Sequence, residues 1–137
     1  MKKLVTTVLA SALIMIASSI VLGYLFNFLF PSVKAEYQNS ALYRPWSDPL
    51  MYLFIIQPFM LSGVLVWGWE KIKNLFQGST GRKAINVSLF CLVLFIIPGM
   101  LMTLSTFKVS ILAILTWTVS SFIQVWAASL VFIRMSK

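Results

Sequence analysis

Residues 1 to 30 read MKKLVTTVLASALIMIASSIVLGYLFNFLF, and this stretch decides the class of fold. Two lysines precede an uncharged run from Leu4 to Phe30. A secretory signal has an apolar core of about 7 to 15 residues, whereas a helix of about 20 apolar residues crosses the hydrocarbon layer of a bilayer. The run has the length of a membrane span, so we expect an uncleaved first helix.

Three further stretches of the chain have the same apolar character. Hydrophobic residues make up 60% of the sequence and charged residues only 10%, which is far from the composition of soluble domains. The sequence therefore predicts an all-α integral membrane protein, a four-transmembrane-helix bundle in a single membrane domain. The predicted helices lie approximately at residues 4–30, 50–69, 84–104 and 109–133, with an outer loop at 31–49 and a cytoplasmic loop at 70–83.

The basic residues predict the orientation, because Lys and Arg in short flanking loops are retained on the cytoplasmic side. One side of the predicted bundle carries Lys2, Lys3, Lys71, Lys73, Arg82, Lys83, Arg134 and Lys137. The other side carries only Lys34, Arg44 and Lys108. We therefore expect both termini to be cytoplasmic and the longest loop, between the first two helices, to lie outside. A multi-pass protein of the plasma (inner) membrane fits this pattern.

The net charge of +8 comes mostly from these flanking residues. They lie in separate segments and do not form one basic face with aromatic residues, so no nucleic-acid partner is expected. Lysines at an inner membrane surface attract anionic headgroups. We expect the lipid bilayer, with anionic lipid at the cytoplasmic face, as a partner, in particular along EKIKNLFQG at residues 70–78. The alternative is an ordinary helix end with basic flanks.

Several kinds of chemistry lack the side chains that they need. The sequence contains no histidine, a single cysteine (Cys91) and three carboxylates, and no charged residue lies inside a predicted span. A zinc site, a thiol pair or a Ser-His-Asp arrangement cannot be assembled from this chain. Ion-coupled transporters rely on charged groups within the membrane. We therefore expect no catalytic residue, no metal ion, no cofactor and no enzymatic activity.

The stretch SALYRPWSDPLMY, residues 40–52, concentrates polar and aromatic residues in the outer loop. Asp48 followed by proline is a favourable helix start, because the carboxylate accepts backbone N–H bonds and the proline ring presets the first helical position. Arg44 can pair with Asp48 or with Glu36, and can stack on a neighbouring ring such as Trp46. We expect a structural lid; the alternative is a binding mouth for a ligand or partner.

Two prolines lie inside predicted spans, Pro58 in the second and Pro98 in the third, and each removes one backbone hydrogen bond. We expect a kink or local opening at both. Both lie about 10 Å below the outer ends of their helices. Gln57 lies beside the first proline, and Asn27 lies nearer the surface on the first span. One interpretation is a small polar cavity in a splayed outer half; the other is that neighbouring helices satisfy the freed carbonyls.

Gln124 in the fourth span is a carboxamide within the predicted hydrocarbon layer, where an amide needs a hydrogen-bond partner. A backbone carbonyl, another helix of the bundle or a second protein can supply that partner. Thr7, Ser11 and Ser18 form a stripe on the first span. Small and hydroxyl-bearing residues of this kind let membrane helices pack closely.

The leading functional prediction is a non-catalytic four-helix membrane protein, either an accessory subunit of a larger membrane complex or a self-associating bundle that forms a homo-oligomer. The alternative is a binding or facilitating protein for a small lipophilic or uncharged molecule, which enters from the outer side between the kinked second and third spans. The candidate ligand or partner contacts are Asn27, Arg44, Trp46, Asp48, Gln57 and Gln124.

Overall fold

The computed structural model describes residues 2–136, and this part of the chain is helical and contains no strand. Its α-helices are α1 (Lys2–Leu29), α2 (Pro31–Tyr37), α3 (Tyr52–Ile72), α4 (Thr80–Cys91), α5 (Ile97–Thr106) and α6 (Ile111–Met135). Short 3-10 turns at Pro49–Met51 and Lys73–Leu75 flank α3, and a π-helical turn at Leu92–Ile96 joins α4 to α5. Lys137, one residue of the basic pattern, lies outside the described residues.

Four helical stretches are long and apolar enough to cross a membrane: Lys2–Leu29, Pro49–Leu75, Thr80–Thr106 and Ile111–Met135. The predicted all-α class with four apolar spans is confirmed. The third span begins at Thr80, ahead of the predicted residue 84. Its start is set by Ser79, whose hydroxyl accepts a hydrogen bond from the Arg82 N–H at 3.4 Å, and by Gly78, whose φ of 104° turns the chain.

The two ends of the bundle differ in construction. The terminal end holds the start of α1, the end of α6 and the connection at residues 73–79, and the loop end holds the connection at residues 30–51. At the terminal end the Trp69 indole N–H donates to the Ser136 hydroxyl at 2.8 Å, and the Trp69 ring lies 6.0 Å from that of Phe132. These contacts tie the end of α3 to the end of α6.

The core lies mainly toward the terminal end, where α1, α3, α4 and α6 meet. It is formed by Met15, Val66, Trp69, Ala84, Val87, Cys91, Val125, Ala128, Phe132 and Ile133. Small residues at these contacts bring the helices close together, as is usual in membrane bundles. The buried hydroxyl of Ser62 donates to the Met15 sulfur at 3.4 Å, which joins α3 to α1.

Toward the loop end the bundle is less closed. Helix α1 packs against α3 and α6, and α6 packs against α4, the π turn and α5. In the described part of the chain α3 does not pack along α4 or α5, and α5 buries no side chain. The second and third spans therefore lie on opposite sides of the α1–α6 pair over the halves nearer the loop end.

The two intrahelical prolines have different effects. Before Pro98 the Ile97 N–H donates to the Leu92 carbonyl five residues earlier, which is the hydrogen bond of a π turn. A proline ring clashes with the carbonyl four residues before it, and the wider turn relieves that clash. Pro58 is buried within α3, which is continuous from Tyr52 to Ile72. The expected local opening is found at Pro98, and no such opening interrupts α3 at Pro58.

Candidate functional site

The long connection at the loop end is held against the bundle by α2. Val33 of α2 is buried, and the carboxylate of Glu36 accepts a hydrogen bond from the Ser110 N–H at 3.2 Å. The Ser110 hydroxyl accepts in turn from the Ala113 N–H at 3.0 Å. Two side chains thereby satisfy N–H groups that the start of α6 leaves free. Glu36 is thus bonded to the start of α6. Asp48 is then the remaining predicted partner for Arg44.

Three aromatic rings extend this docking contact. The Trp117 indole N–H donates to the Tyr37 hydroxyl, and the Tyr43 ring lies edge-on to Tyr37 and Trp117 at centroid distances of 5.3 and 6.2 Å. Burial raises the pKa of Tyr43 to about 12, with smaller contributions from Tyr37 and Glu36. Burial also raises the pKa of Tyr37. Both phenols are protonated near neutral pH; the Tyr37 hydroxyl accepts the Trp117 N–H, and both tyrosine rings pack against Trp117.

Arg44 pairs with Asp48, one of the two carboxylates that the sequence offered. Its Nη1 lies 2.8 Å from Asp48 Oδ2, and Asp48 Oδ1 accepts the Leu50 N–H at 2.9 Å, where the 3-10 turn before α3 begins. The hydrogen bond from Arg44 is the main reason that the pKa of Asp48 lies below its usual range. Both carboxylate oxygens are occupied, so the pair forms a cap and an ion pair and has no free acid–base group.

Trp46 and Asn27 do not join this pair. Trp46 is 74% exposed, and its ring lies edge-on to Phe54 at 6.0 Å. Asn27 is half-buried near the end of α1. Of the four contacts predicted at the loop end, the structure brings Arg44 and Asp48 together and leaves the other two apart from them.

Gln57 is exposed on the outward side of α3, which is the side that faces away from the rest of the bundle. It borders a shallow surface recess of about 440 Å³ that is lined by Leu53, Ile56, Gln57, Met60, Leu61 and Val64. All of these residues belong to α3, so the recess lies on the surface of one helix and is not a cavity between the second and third spans. The carboxamide makes no hydrogen bond with any residue from 2 to 136.

Gln124 has a different setting, half-buried on α6 beside the buried Val125. Its carboxamide also makes no hydrogen bond within the described part of the chain. Gln57 and Gln124 therefore lie on different helices, and the first is the more exposed of the two. Gln57 is the carboxamide that is available to a group outside the bundle.

A second surface feature lies at the terminal end, where the connection at residues 73–79 meets α4. An open groove of about 550 Å³ runs from this connection toward the π turn and is lined by Leu75, Phe76, Asn86, Leu89, Phe90, Val93 and Leu94. Basic residues flank it in the chain, among them Arg82 and Lys83, whereas Lys73 is paired with Glu70 at 2.8 Å. The groove lining is apolar except for Asn86, and the basic residues lie near it in the sequence.

Groups that perform chemistry are sparse in the structure. Residues 2–136 contain no group of three or more His, Cys, Asp or Glu side chains that could hold a metal ion, and Cys91 is buried in the core. No protein family model, curated protein or solved structure matches this chain.

Proposed function

We propose that this chain is a non-catalytic membrane subunit that assembles with another transmembrane segment through the outward side of α3. The observation that supports this proposal is the exposed carboxamide of Gln57, which has no hydrogen-bond partner among residues 2–136. The residue lies about 12 Å along the helix from Pro49, within the hydrocarbon layer of a spanning helix. An amide without a partner in an apolar medium costs about 2–7 kcal/mol. A polar group on an adjacent helix removes that cost.

The alternative, a binding protein for a small lipophilic or uncharged molecule, needs a site that encloses its ligand. Small-molecule sites bury most of the ligand surface in a cleft between elements. The recess at Gln57 is formed by α3 alone, so a ligand there would remain open to lipid on one side. A second helix packed along α3 would cover the same surface completely. This geometry favours assembly over the binding of a small molecule.

The terminal end is proposed to be the cytoplasmic end, in a plasma membrane. The connection at residues 70–83 carries Lys71, Lys73, Arg82 and Lys83, and short loops rich in Lys and Arg are retained on the cytoplasmic side. Anionic phospholipid is the proposed lipid partner at this face. The mainly apolar groove lined by Leu89 and Phe90 offers a surface for an acyl chain, and Arg82, close by in the sequence, offers a charge for its phosphate; both features support this proposal.

The test of assembly is the size of the purified complex in a mild detergent. At a protein concentration near the dissociation constant of the assembly, Gln57→Leu should shift the population from a larger assembly toward the single chain, because it removes the amide and keeps an apolar surface of similar size. Gln124→Leu is the matched control, since it removes the same carboxamide from a half-buried position on α6. Native gels measure size, and mass spectrometry identifies co-purified molecules.

The two functions give different results in this experiment. Loss of a co-purified small molecule with Gln57→Leu, while assembly size stays the same, would establish the binding function instead. An assembly size that is unchanged in both variants would exclude the proposed role of the outward side of α3.

A further inference from the structure

We infer that the partner packed on α3 is a second copy of this chain, which binds through the α3 stripe: Leu53, Gln57, Met60, Val64 and Trp67. This inference rests on the proposed function, because it names the partner for the same surface. Four observations support it: the spacing of the stripe, its exposure, the chemistry of the carboxamide and the two glycines beside it.

The α3 stripe has the spacing of a helix–helix seam. Its members follow one another at intervals of four, three, four and three residues, which is the a/d pattern of a heptad repeat. At about 100° per residue they occupy one side of α3, about 180° from the buried side formed by Pro58, Ser62, Val66 and Trp69. A helix packed along the stripe would therefore leave the contacts inside the bundle undisturbed.

The stripe is fully available for packing. Leu53, Met60, Val64 and Trp67 are 59%, 69%, 63% and 63% exposed, and Gln57 is exposed among them. The apolar members offer a surface for close packing along four turns of the helix. Gln57 is the one polar side chain among the five. A single polar residue in an apolar seam fixes the register and the partner.

The carboxamide identifies the partner as a second copy. An amide side chain carries both a donor and an acceptor, so two glutamines can bond to each other. All copies of one membrane protein have the same orientation in the bilayer, and a twofold axis along the membrane normal places identical residues at the same depth. In that arrangement Gln57 of one copy would lie opposite Gln57 of the other, and each carboxamide would gain a hydrogen-bond partner. A different protein would need a polar side chain at that depth.

Two glycines flank the stripe, Gly63 and Gly68. A Cβ atom added at either position would meet nothing within 4 Å. Packing inside the bundle therefore does not require either glycine. Small residues beside a seam let two helix backbones approach closely, which strengthens van der Waals packing between membrane helices. Their position is consistent with a close contact on the outward side of α3.

The inference is tested by disulfide cross-linking of single-cysteine variants in lipid vesicles that contain only this protein. Cys91→Ala removes the native thiol. Leu53→Cys, Met60→Cys and Val64→Cys place thiols on the stripe, where the two Cα atoms of a seam pair fall within disulfide range. Phe54→Cys and Ile55→Cys are the controls, since both residues are exposed on α3 but lie off the stripe. Dimers should form at the stripe positions and not at the controls.

The contribution of the carboxamide is measured as the dissociation constant of the dimer, from energy transfer between labelled copies in vesicles. Gln57→Leu should raise it roughly three- to tenfold, and Gln57→Asn should restore part of the loss. Each change is at an exposed side chain, and the helical circular dichroism spectrum checks that the fold is retained.

Equal cross-linking at stripe and control positions, or none at any of them, would overturn the second copy as partner. If Gln57→Leu still reduced the size of the complex isolated from native membranes in that case, the proposed assembly function would stand with a different protein as partner. If that complex were also unchanged, both proposals would fail.

Discussion

Asp48 and Gln57 differ in whether their polar side chains have hydrogen-bond partners. Asp48 has both oxygens bonded, one to the Arg44 guanidinium at 2.8 Å and one to the Leu50 N–H at 2.9 Å. Gln57 has no such partner within residues 2–136. At the scale of the residue, the loop pairs its own charges locally, and the group that needs an external partner lies one to two helical turns into α3.

Acid should release the turn before α3. The pKa of Asp48 lies below its ordinary value of 3.8, mainly because of the hydrogen bond from Arg44. The ionised carboxylate therefore stabilises the folded turn fully above pH 3.8, and this stabilisation is lost as the pH falls through the lowered pKa. The chemical shift of the Leu50 amide proton measures the transition by NMR. In Arg44→Ala the midpoint should move up toward 3.8.

Asp48→Asn is the control for that titration. Its side-chain oxygen can still accept the Leu50 N–H, but it has no carboxyl proton to gain, so the Leu50 shift should stay flat over the same acid range. A transition in the unchanged protein with its midpoint above 3.8 would contradict the assigned pairing.

At the scale of the helix, the two intrahelical prolines lie in different surroundings. Pro58 is buried within a continuous α3, whereas Pro98 follows a π turn and leads into α5, which buries no side chain. A helix with no fully buried side chain has little to resist a local change in its turn. The loop-end half of the third span, α5, is therefore joined to its packed terminal-end half, α4, by a π turn.

Pro98→Ala should convert the π turn to a regular α-helix, because the new N–H can donate to the Leu94 carbonyl. The gain in stability is at most about 3 kcal/mol, the cost of proline inside a helix. Hydrogen exchange measured by mass spectrometry should become slower across residues 92–98. Pro58→Ala is the matched change in an uninterrupted helix and should alter exchange less. Unchanged exchange in Pro98→Ala would mean that packing, and not the proline, maintains the π turn.

At the scale of the whole molecule, the bundle is closed at the terminal end and open at the loop end. Trp69 joins α3 to α6 through Ser136 and Phe132, and α2 covers part of the loop end through Glu36. The halves of the second and third spans nearer the loop end are separated by α1 and α6. This arrangement leaves the outward side of α3 as surface along its whole length.

The orientation of the molecule is tested by labelling introduced cysteines on intact cells. Ser40 and Gln77 are both exposed, the first in the connection at the loop end and the second at the terminal end. Ser40→Cys should react with an impermeant thiol reagent, and Gln77→Cys should react only after the membrane is opened. The buried Cys91 provides a low background. Labelling of Gln77→Cys alone on intact cells would reverse the proposed orientation.

The sequence by itself determined the four apolar spans and the Asp48 cap at which the second span begins. Each depends on neighbouring residues: span length is a local property, and Asp48 caps the N–H of a residue two positions away. The fourth span was predicted to begin at residue 109, whereas in the structure α6 begins at Ile111 with Ser110 as its N-cap. The sequence left two partners open for Arg44, and the structure selected the nearer one.

Only the tertiary structure decided which surfaces face inward. Glu36 meets Ser110 across 74 residues and Tyr37 meets Trp117 across 80, and no local pattern connects either pair. The sequence also did not predict whether Gln57 faces into the bundle or away from it. A helix in a membrane protein is apolar all round, so its hydrophobic period does not separate the buried side from the exposed side as it does in water. The packing of α3 against its neighbouring helices determines which side is buried, and Gln57 lies on the side that faces away from the bundle.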